Sequence, residues 1–226
     1  MKLLQNEQLI SIPSTWKDLP YGECYRETLE NYLKEWWPRI RGFNMLKIGS
    51  LSANLTTKDC VVFYQINVGF KGEYLQIIVD YDQLPFANKS VDICLLIHTL
   101  SYIKHPYRLL QEIDRVLSDD GWLIISTFNL ISILGLSRVI YFFFRKPFKY
   151  RLYTLIKLLY WLRLLNFEIV NKAHLQLFPW KSHENNCLFS KYFIFIGCLN
   201  IIIARKQIIP FQLIPLNIQN YFFSLY

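Results

Sequence analysis

Apolar positions alternate between strand-like and helix-like spacing through the middle of the chain. Three runs of β-branched, aromatic and aliphatic residues, at 60–68, 75–79 and 93–97, predict strands. The run at 93–97 is apolar on both faces, as strands buried in a parallel sheet are. Helical spacing follows from Pro106, and the apolar residues on that face are Leu109, Leu110, Ile113, Val116 and Leu117. The alternation predicts a parallel sheet with right-handed crossovers.

The segments on either side extend this pattern. Leu29 and Leu33 lie on one face of a predicted helix that Pro38 ends, and the short apolar run 45–48, which stops at Gly49, predicts a first strand. Beyond the central helix, residues 118–121 (Ser-Asp-Asp-Gly) are expected to turn the chain into a buried strand at 122–126.

A second helix and two closing strands are predicted in the last third of the chain. The strands are expected at 167–170 and 200–204. The predicted apolar face of the helix consists of Leu152, Leu155, Ile156, Leu159, Leu162 and Leu165.

Two motifs carry a family resemblance. Residues 84–92 (Leu-Pro-Phe-Ala-Asn-Lys-Ser-Val-Asp) resemble the L-P-F-x-x-x-S-F-D segment of bacterial class I S-adenosylmethionine (SAM)-dependent methyltransferases of the Methyltransf_11 type. Residues 109–125 resemble their helix-to-strand block, L-L-x-E-x-x-R-V-L followed by G-x-L-x-I. Segments 16–22, 42–53 and 197–206 are similar to the YafS-like branch of that family.

The resemblance implies a fold and an organisation. The fold is a Rossmann-like α/β sheet, mostly parallel and seven-stranded, with helices on both faces and a reversed hairpin at the C-terminus. SAM is expected to bind across the carboxyl ends of the strands. The chain then divides into an N-terminal helical lead-in (1–42), a methyltransferase-like domain (43–206) and a C-terminal tail (207–226) to which no element is assigned.

The implied cofactor site begins at the first strand end. Gly49 and Ser50 form the loop where backbone must approach the cofactor closely, with one glycine where the family pattern has two or three. Leu51 adds bulk at a position where the pattern expects none. At the end of the second strand the family's ribose-binding acid is replaced by the neutral amide of Asn67, which lacks charge assistance.

Two further strand ends complete the implied site. Asp80, followed by Tyr81, matches the adenine-binding acid, although an Asp that caps a turn is the alternative interpretation. Asp82 is a nearby competitor for the same contact, but its spacing to Leu84 fits the family pattern less well. His98 follows the fourth strand, where it is expected to contact the cofactor or to act as a general base on the acceptor. The alternative for His98 is a structural cap of the strand end.

Other polar residues are given structural interpretations. Asp92 begins the fourth strand, at the opposite edge of the sheet from the site, and Glu112 and Arg115 are expected to pair on a helix surface. The four histidines have no carboxylate or thiolate at metal-ligand spacing, so no metal site is predicted.

The resemblance implies an enzyme that transfers a methyl group from SAM to a small or lipid-like acceptor. This fold has no universal catalytic residue, because the reaction mainly needs the donor and acceptor to be aligned. The single glycine and the missing ribose acid keep a second hypothesis open: a non-catalytic binding or interaction module with weakened or lost SAM binding.

Charge and composition add little to this picture. The net charge of +8 accompanies a sequence rich in Ile, Lys, Asn, Phe and Tyr, which is typical of AT-biased coding rather than of an anionic partner. The basic run 145–151 is compatible with RNA or an anionic membrane surface, but it is more typical of a solvated loop.

Localisation is expected to be cytoplasmic. Segment 128–144 is apolar but interrupted by Asn129 and Arg138, so it is interpreted as a strand end that leads into a buried helix rather than a membrane span. The five cysteines form no C-x-x-C pair, and the N-terminus lacks the pattern of a signal peptide.

Overall fold

Seven strands build one sheet in the computed structural model, which describes residues 12–19, 22–72, 74–129, 153–175 and 199–207. The strands are β1 (Arg41–Ile48), β2 (Val61–Gly69), β3 (Ile77–Ile78), β4 (Val91–Ile97), β5 (Leu117–Phe128), β6 (Phe167–Leu175) and β7 (Leu199–Lys206). Their order across the sheet is β3-β2-β1-β4-β5-β7-β6. Strand β7 is antiparallel to both of its neighbours, and all other pairs are parallel. The mostly parallel sheet with a reversed C-terminal hairpin is confirmed.

Helices cover the middle of this sheet on both faces. The α-helices of the described ranges are α1 (Gly22–Lys34), α2 (Ser50–Ala53), α3 (Pro106–Val116) and α4 (Leu155–Leu164). None of these described helices combines the length and the apolar character that a bilayer crossing requires.

Strand β4 lies at the centre of the hydrophobic core. Its residues alternate between two layers: Cys94 and Leu96 pack with α3 and α4, whereas Ile93 and Leu95 pack with α1. All of them are fully buried, and burial of a Leu or Ile side chain stabilises a fold by about 1.5–3 kcal/mol. A strand that is buried on both faces explains the continuous apolar run seen in the sequence.

The N-terminal helix packs directly onto the sheet. Leu29 and Leu33 of α1 and the following Trp37 are in the same buried cluster as Met45 of β1 and Ile93 of β4. Strand β1 begins at Arg41, earlier than the predicted run at 45–48. The division of a lead-in (1–42) from a domain (43–206) stays a prediction.

Two predicted element boundaries are wrong. The third strand, expected at 75–79, is only Ile77–Ile78, because β2 offers it just Val68 and Gly69 as pairing partners. Residues 118–121 were expected to form a turn, but they lie within β5. The pairing of β5 with β4 shifts there, and Asp120 takes a left-handed backbone with φ 64°.

The predicted apolar face of the second helix is partly wrong. Leu162 is buried as expected, but Ile156 is 80 % exposed and Leu158, which was not predicted, is fully buried. The helix begins after Thr154, whose Oγ1 accepts a hydrogen bond from the N–H of Lys157. The rest of segment 128–144 beyond Asn129, the basic run 145–151 and the tail from 208 onward lie outside the described residues.

Asp92 has the structural role that the sequence predicted. Its Oδ2 accepts hydrogen bonds from the backbone N–H groups of Phe43 and Asn44, at 2.8 and 3.1 Å. Its Oδ1 accepts a bond from the hydroxyl of Ser118. One carboxylate therefore joins the starts of three neighbouring strands, β1, β4 and β5.

Glu112 and Arg115 form the predicted pair, and both also bind the loop at Leu84. Arg115 donates to both carboxylate oxygens of Glu112 and also to the backbone carbonyls of Leu84 and Phe86, both at 2.9 Å. Glu112 in turn accepts the N–H of Leu84 at 2.9 Å. The planar guanidinium thus holds the Leu-Pro-Phe loop against α3, which explains why the two sequence motifs occur together.

Replacing Arg115 is expected to destabilise the fold. Arg115→Ala removes several charged hydrogen bonds and leaves the Leu84 and Phe86 carbonyls without this donor, so the free energy of unfolding should fall by about 2–4 kcal/mol. Arg115→Lys should recover less than half of the loss, because an ammonium cannot reproduce the fork of donors. Urea denaturation measures both variants. Arg108→Ala, on an exposed face of the same helix, is the control, and an equal loss there would contradict the assigned role.

Candidate functional site

The end of β1 turns sharply at Gly49. This residue has φ 96°, a left-handed backbone that residues with a side chain rarely adopt. A Cβ at this position would collide with Oγ1 of Thr99, so glycine is required for space as well as for backbone angle. The Gly49 N–H donates to the carbonyl of Val68 at 2.7 Å, and α2 begins at the next residue.

Hydroxyl groups tie the ends of β1 and β4 together behind this turn. The carbonyl of Ile48 accepts bonds from the hydroxyls of Ser52, at 2.7 Å, and Thr99, at 2.6 Å. The Ser52 oxygen also accepts the N–H of Ile97 at 2.8 Å. The order of strands reverses between β1 and β4, and an open α/β sheet binds its ligands at such a switch point.

Lys47 is a buried cation that the sequence analysis did not single out. Only 5 % of its surface is exposed, and its ammonium donates to the carbonyl of Leu55, just after α2, at 3.0 Å. Burial disfavours the charged form and lowers the pKa of Lys47 to about 8, against the opposing effects of Cys60 and Glu30. Its signal in the sequence was a charged residue inside the apolar run 45–48.

The loop after β2 folds over the glycine turn. The hydroxyl of Ser50 donates to the carbonyl of Lys71, and the side-chain amide of Asn67 donates to the carbonyl of Tyr74 at 3.1 Å. Strand β2 continues past Asn67 to Gly69. Both predicted side chains are therefore engaged with this loop rather than directed at an open cleft.

Asp80 and Tyr81 follow β3 and have different environments. Asp80 is exposed, and one of its carboxylate oxygens accepts the N–H of Asp82 at 3.0 Å, which is the turn-capping contact of the alternative interpretation. Tyr81 is buried, and its hydroxyl accepts the N–H of Phe70 at 3.3 Å. Burial raises the pKa of Tyr81 to about 12, so its phenol stays protonated at neutral pH.

A small cavity of about 10 Å³ lies at the glycine turn. Gly49, Ser50, Tyr81 and Thr99 are among its lining residues, and the N-terminal segment at Ile12 and Pro13 forms another wall. Such a cavity holds about one water molecule. Ligand pockets have volumes of about 300–1,000 Å³, so this cavity is too small for SAM while Ile12 and Pro13 lie against it.

The residues at the strand ends do suit SAM chemically. Gly49 has the backbone that close approach requires, and Asp80 presents an exposed carboxylate able to accept a hydrogen bond from an exocyclic amine. No acidic side chain is present in β2, from Val61 to Gly69, to receive ribose hydroxyls. The chemistry at these positions therefore fits the adenine part of SAM better than its ribose.

His98 lies inside the core. Its exposed fraction is 0 %, and its ring stacks on Phe128, with centroids 3.9 Å apart, and meets the edge of Trp16. Its backbone is left-handed, with φ 56°. His98 is not among the residues described as lining the cavity at Gly49. The structure therefore groups Gly49, Ser50 and Tyr81, leaves Asp80 exposed beside them, and places the His98 ring in the packing beneath the N-terminal segment.

The described ranges contain no cluster of side chains suited to binding a metal ion. No group of three or more His, Cys, Asp or Glu side chains there is arranged to hold a metal ion.

Comparisons with known proteins agree with this architecture. Residues 63–125 match the family described as a methyltransferase domain. A SAM-dependent methyltransferase from Archaeoglobus fulgidus superposes with a TM-score of 0.57 at 17% identity, over 80% of this chain and 94% of that one. The partner of the Trm112 methyltransferase activator in a Haloferax volcanii complex gives 0.60 at 11% identity, over 83% and 92%. The [4+2]-cyclase SpnF gives 0.56 at 16% identity, over 84% and 83%.

The sheet topology and these superpositions define the fold as that of the class I, Rossmann-like methyltransferases. A closer relative specifies the family. The chain is 44% identical to the uncharacterized protein YafS of Escherichia coli (strain K12) over 218 residues, which cover 96% of this chain and 90% of YafS. The chain therefore belongs to the YafS family.

The buried ammonium of Lys47 predicts a pH dependence of stability. A free Lys has a pKa of about 10.4, so between about pH 8 and pH 10 the unfolded state holds a proton that the folded state has lost. Lys47 should therefore contribute a rise in the free energy of unfolding with pH across this window, by up to about 1.4 kcal/mol per pH unit relative to a protein without this ammonium. Lys47→Met should remove that rise.

Chemical denaturation at several pH values measures the pH dependence of the free energy of unfolding. The protein with Lys47 and the Lys47→Met variant are compared, both in a Cys60→Ala background. That background is needed because the Cys60 thiol, with a pKa near 11 from burial, titrates in the opposite direction above pH 9. Identical pH profiles for the two proteins would show that Lys47 is not buried as described.

The packing of His98 predicts a stability defect. His98→Ala removes the stack with Phe128, leaves a cavity and puts a Cβ-bearing residue without a polar side chain at a left-handed position, so the free energy of unfolding should fall by about 2–4 kcal/mol. Thermal and urea denaturation measure the loss. His105→Ala, at an exposed histidine, should cost less than about 0.5 kcal/mol. Unchanged stability in His98→Ala would restore the hypothesis of a chemical role.

Proposed function

We propose that this protein is a SAM-dependent methyltransferase that transfers a methyl group to a small or lipid-like acceptor. The observation that carries the proposal is the left-handed turn at Gly49, placed at the switch point of the sheet and followed along the edge by the exposed carboxylate of Asp80. Membership of the YafS family and the methyltransferase-domain match at 63–125 support it.

The residues of the proposed site have different roles in binding SAM. Gly49 and Ser50 bring backbone close to the cofactor, and Asp80 accepts the adenine amine. Tyr81 and Leu51 form the apolar wall that excludes water, and Asn67 holds the loop that borders the ribose. When bound, SAM supplies a methyl group already activated for displacement.

No general base is assigned within the described residues. The His98 ring is buried against Phe128, so we propose that it positions the end of β4 rather than moving a proton. Alignment and exclusion of water supply much of the acceleration in such a transfer. An acceptor that is already nucleophilic at neutral pH would need no base.

A cytoplasmic location is part of the proposal. Cys24, Cys60 and Cys94, the cysteines of the described ranges, are free thiols, as a reducing compartment favours.

Binding of S-adenosylhomocysteine is the direct test. We expect micromolar affinity, and a ligand at 100 times its dissociation constant should stabilise the fold by about 2.7 kcal/mol, which a thermal-shift assay detects. Asp80→Asn keeps an acceptor for the Asp82 N–H but removes the charge, so calorimetry should show affinity about tenfold lower.

Asp82→Asn is the matched control, since this carboxylate lies two residues further along and is held near Arg108. Its affinity should stay within about twofold of the wild-type value. A larger loss in Asp82→Asn would move the adenine contact to that residue. No thermal shift at millimolar S-adenosylhomocysteine would refute the enzyme and leave the non-catalytic module as the remaining hypothesis.

A further inference from the structure

A second, much larger cavity, widely open to solvent, lies between the start of α3 and the first turns of α4. Its volume is about 690 Å³, within the range of ligand-binding pockets. The described residues that line it are Lys104, His105, Pro106, Tyr107, Arg108, Tyr153, Lys157 and Trp161. None of them is acidic, and three carry a full positive charge at neutral pH.

One face of α4 supplies an aromatic wall with a cation on it. Tyr153 lies just before the helix, and Lys157 and Trp161 follow at intervals of four residues, so the side chains of Lys157 and Trp161 lie one above the other on α4. The Lys157 ammonium is 5.7 Å from the ring centroid of Tyr153 and 5.1 Å from that of Trp161. The predicted apolar face of this helix did not include this row, because two of its three residues are aromatic and the third is charged.

The start of α3 supplies the adjoining wall. The Tyr107 ring packs against Trp161 at a centroid distance of 5.8 Å, and Arg108 follows on the same turn. Helix α3 starts here with no acidic residue in its first turn, so the positive end of its dipole adds to the charge of the side chains. The cavity therefore combines flat apolar surface with a positive electrostatic potential.

The cavity adjoins the proposed cofactor site. Thr99, Tyr102 and Ile103 line the small cavity at Gly49, and the lining of the larger cavity begins at the next residue, Lys104. Arg108 is 3.9 Å from the carboxylate of Asp82, which immediately follows Tyr81 of the cofactor site. A molecule held between α3 and α4 therefore lies next to the residues of the proposed cofactor site.

We infer that this cavity binds the methyl acceptor, and that the acceptor is a small anionic molecule with a phosphate or carboxylate group next to an aromatic ring. That the bound molecule is the methyl acceptor rests on the proposed function, but its binding to this cavity does not require SAM. Lys157 and Arg108 pair with the anionic group, and Trp161 and Tyr107 stack on the ring. A neutral lipid tail would bring no negative charge to the Lys157 ammonium or to the Arg108 guanidinium, whose carboxylate partner Asp82 is 3.9 Å away.

Calorimetric titration with phenyl phosphate, in phosphate-free buffer and without SAM, tests this inference. Phenyl phosphate should bind in the millimolar range or tighter, and both phenol and inorganic phosphate should bind about tenfold more weakly, because each offers only half of the contacts. Lys157→Gln and Trp161→Ala should each lower the affinity for phenyl phosphate about fivefold or more.

Two control variants on the same helix distinguish a built site from general attraction. Arg163 and Tyr160 are exposed on α4 and are not among the lining residues, so Arg163→Gln and Tyr160→Ala should leave binding within about twofold. Equal losses in Arg163→Gln and Lys157→Gln would overturn the inference, and so would inorganic phosphate binding as tightly as phenyl phosphate.

Two further arms separate this inference from its alternatives. The protein could instead cosediment with phosphatidylglycerol vesicles, lose this binding in Lys157→Gln and not bind phenyl phosphate at all. That result would overturn the small-molecule assignment in favour of a lipid headgroup. S-adenosylhomocysteine binding is measured on the same proteins and should be unchanged in Lys157→Gln. If the wild-type protein binds phenyl phosphate but not S-adenosylhomocysteine, the proposed function is refuted and the anion-binding site is not.

Discussion

The contact between Gly49 and Thr99 is the constraint on which the site depends. Thr99 occupies the space that a Cβ at position 49 would need, and the Thr99 hydroxyl is fixed by the carbonyl at the end of β1. The turn, the start of α2 and the junction of β1 with β4 therefore form one unit. Any change that moves the end of β4 also moves the loop where backbone would approach a ligand.

Strand β4, which is buried on both faces, and helix α3, which is buried on one, could be predicted from sequence because their patterns are local. Strand β4 and helix α3 show an unbroken apolar run and a clean helical face, and tertiary contacts only reinforce them. Strand β3 and the start of β5 could not be predicted so well. A strand of two residues is defined by its partner rather than by its own sequence, and Ile78, apolar but 77 % exposed, gave a misleading signal.

The candidate site was predictable in chain position but not in side-chain environment. Family motifs placed Gly49 and Asp80 at strand ends, where the structure also has them. The burial of His98 depends on Trp16 and Phe128, which come from distant parts of the chain, and no local pattern reports such a contact. The row of Tyr153, Lys157 and Trp161 was visible in the sequence, but a search for apolar residues alone passes over it. Burial must be known before such a row can be interpreted.

The connections on either side of β2 explain both an exposed part of the sheet and the polar contacts at the glycine turn. Only α2 and a loop join β1 to β2, and another loop joins β2 to β3, so the stacked pair Phe43 and Phe63 stays uncovered, with Phe63 72 % exposed. The loop after β2 instead folds inward, and its Lys71 carbonyl accepts the hydroxyl of Ser50. A polar group already paired within the protein gains little from a ligand, because the ligand must first replace that bond. The fold itself does not dictate one reaction, since a [4+2]-cyclase shares it. The balance between these internal bonds and ligand contacts would therefore set how tightly a ligand binds at this loop.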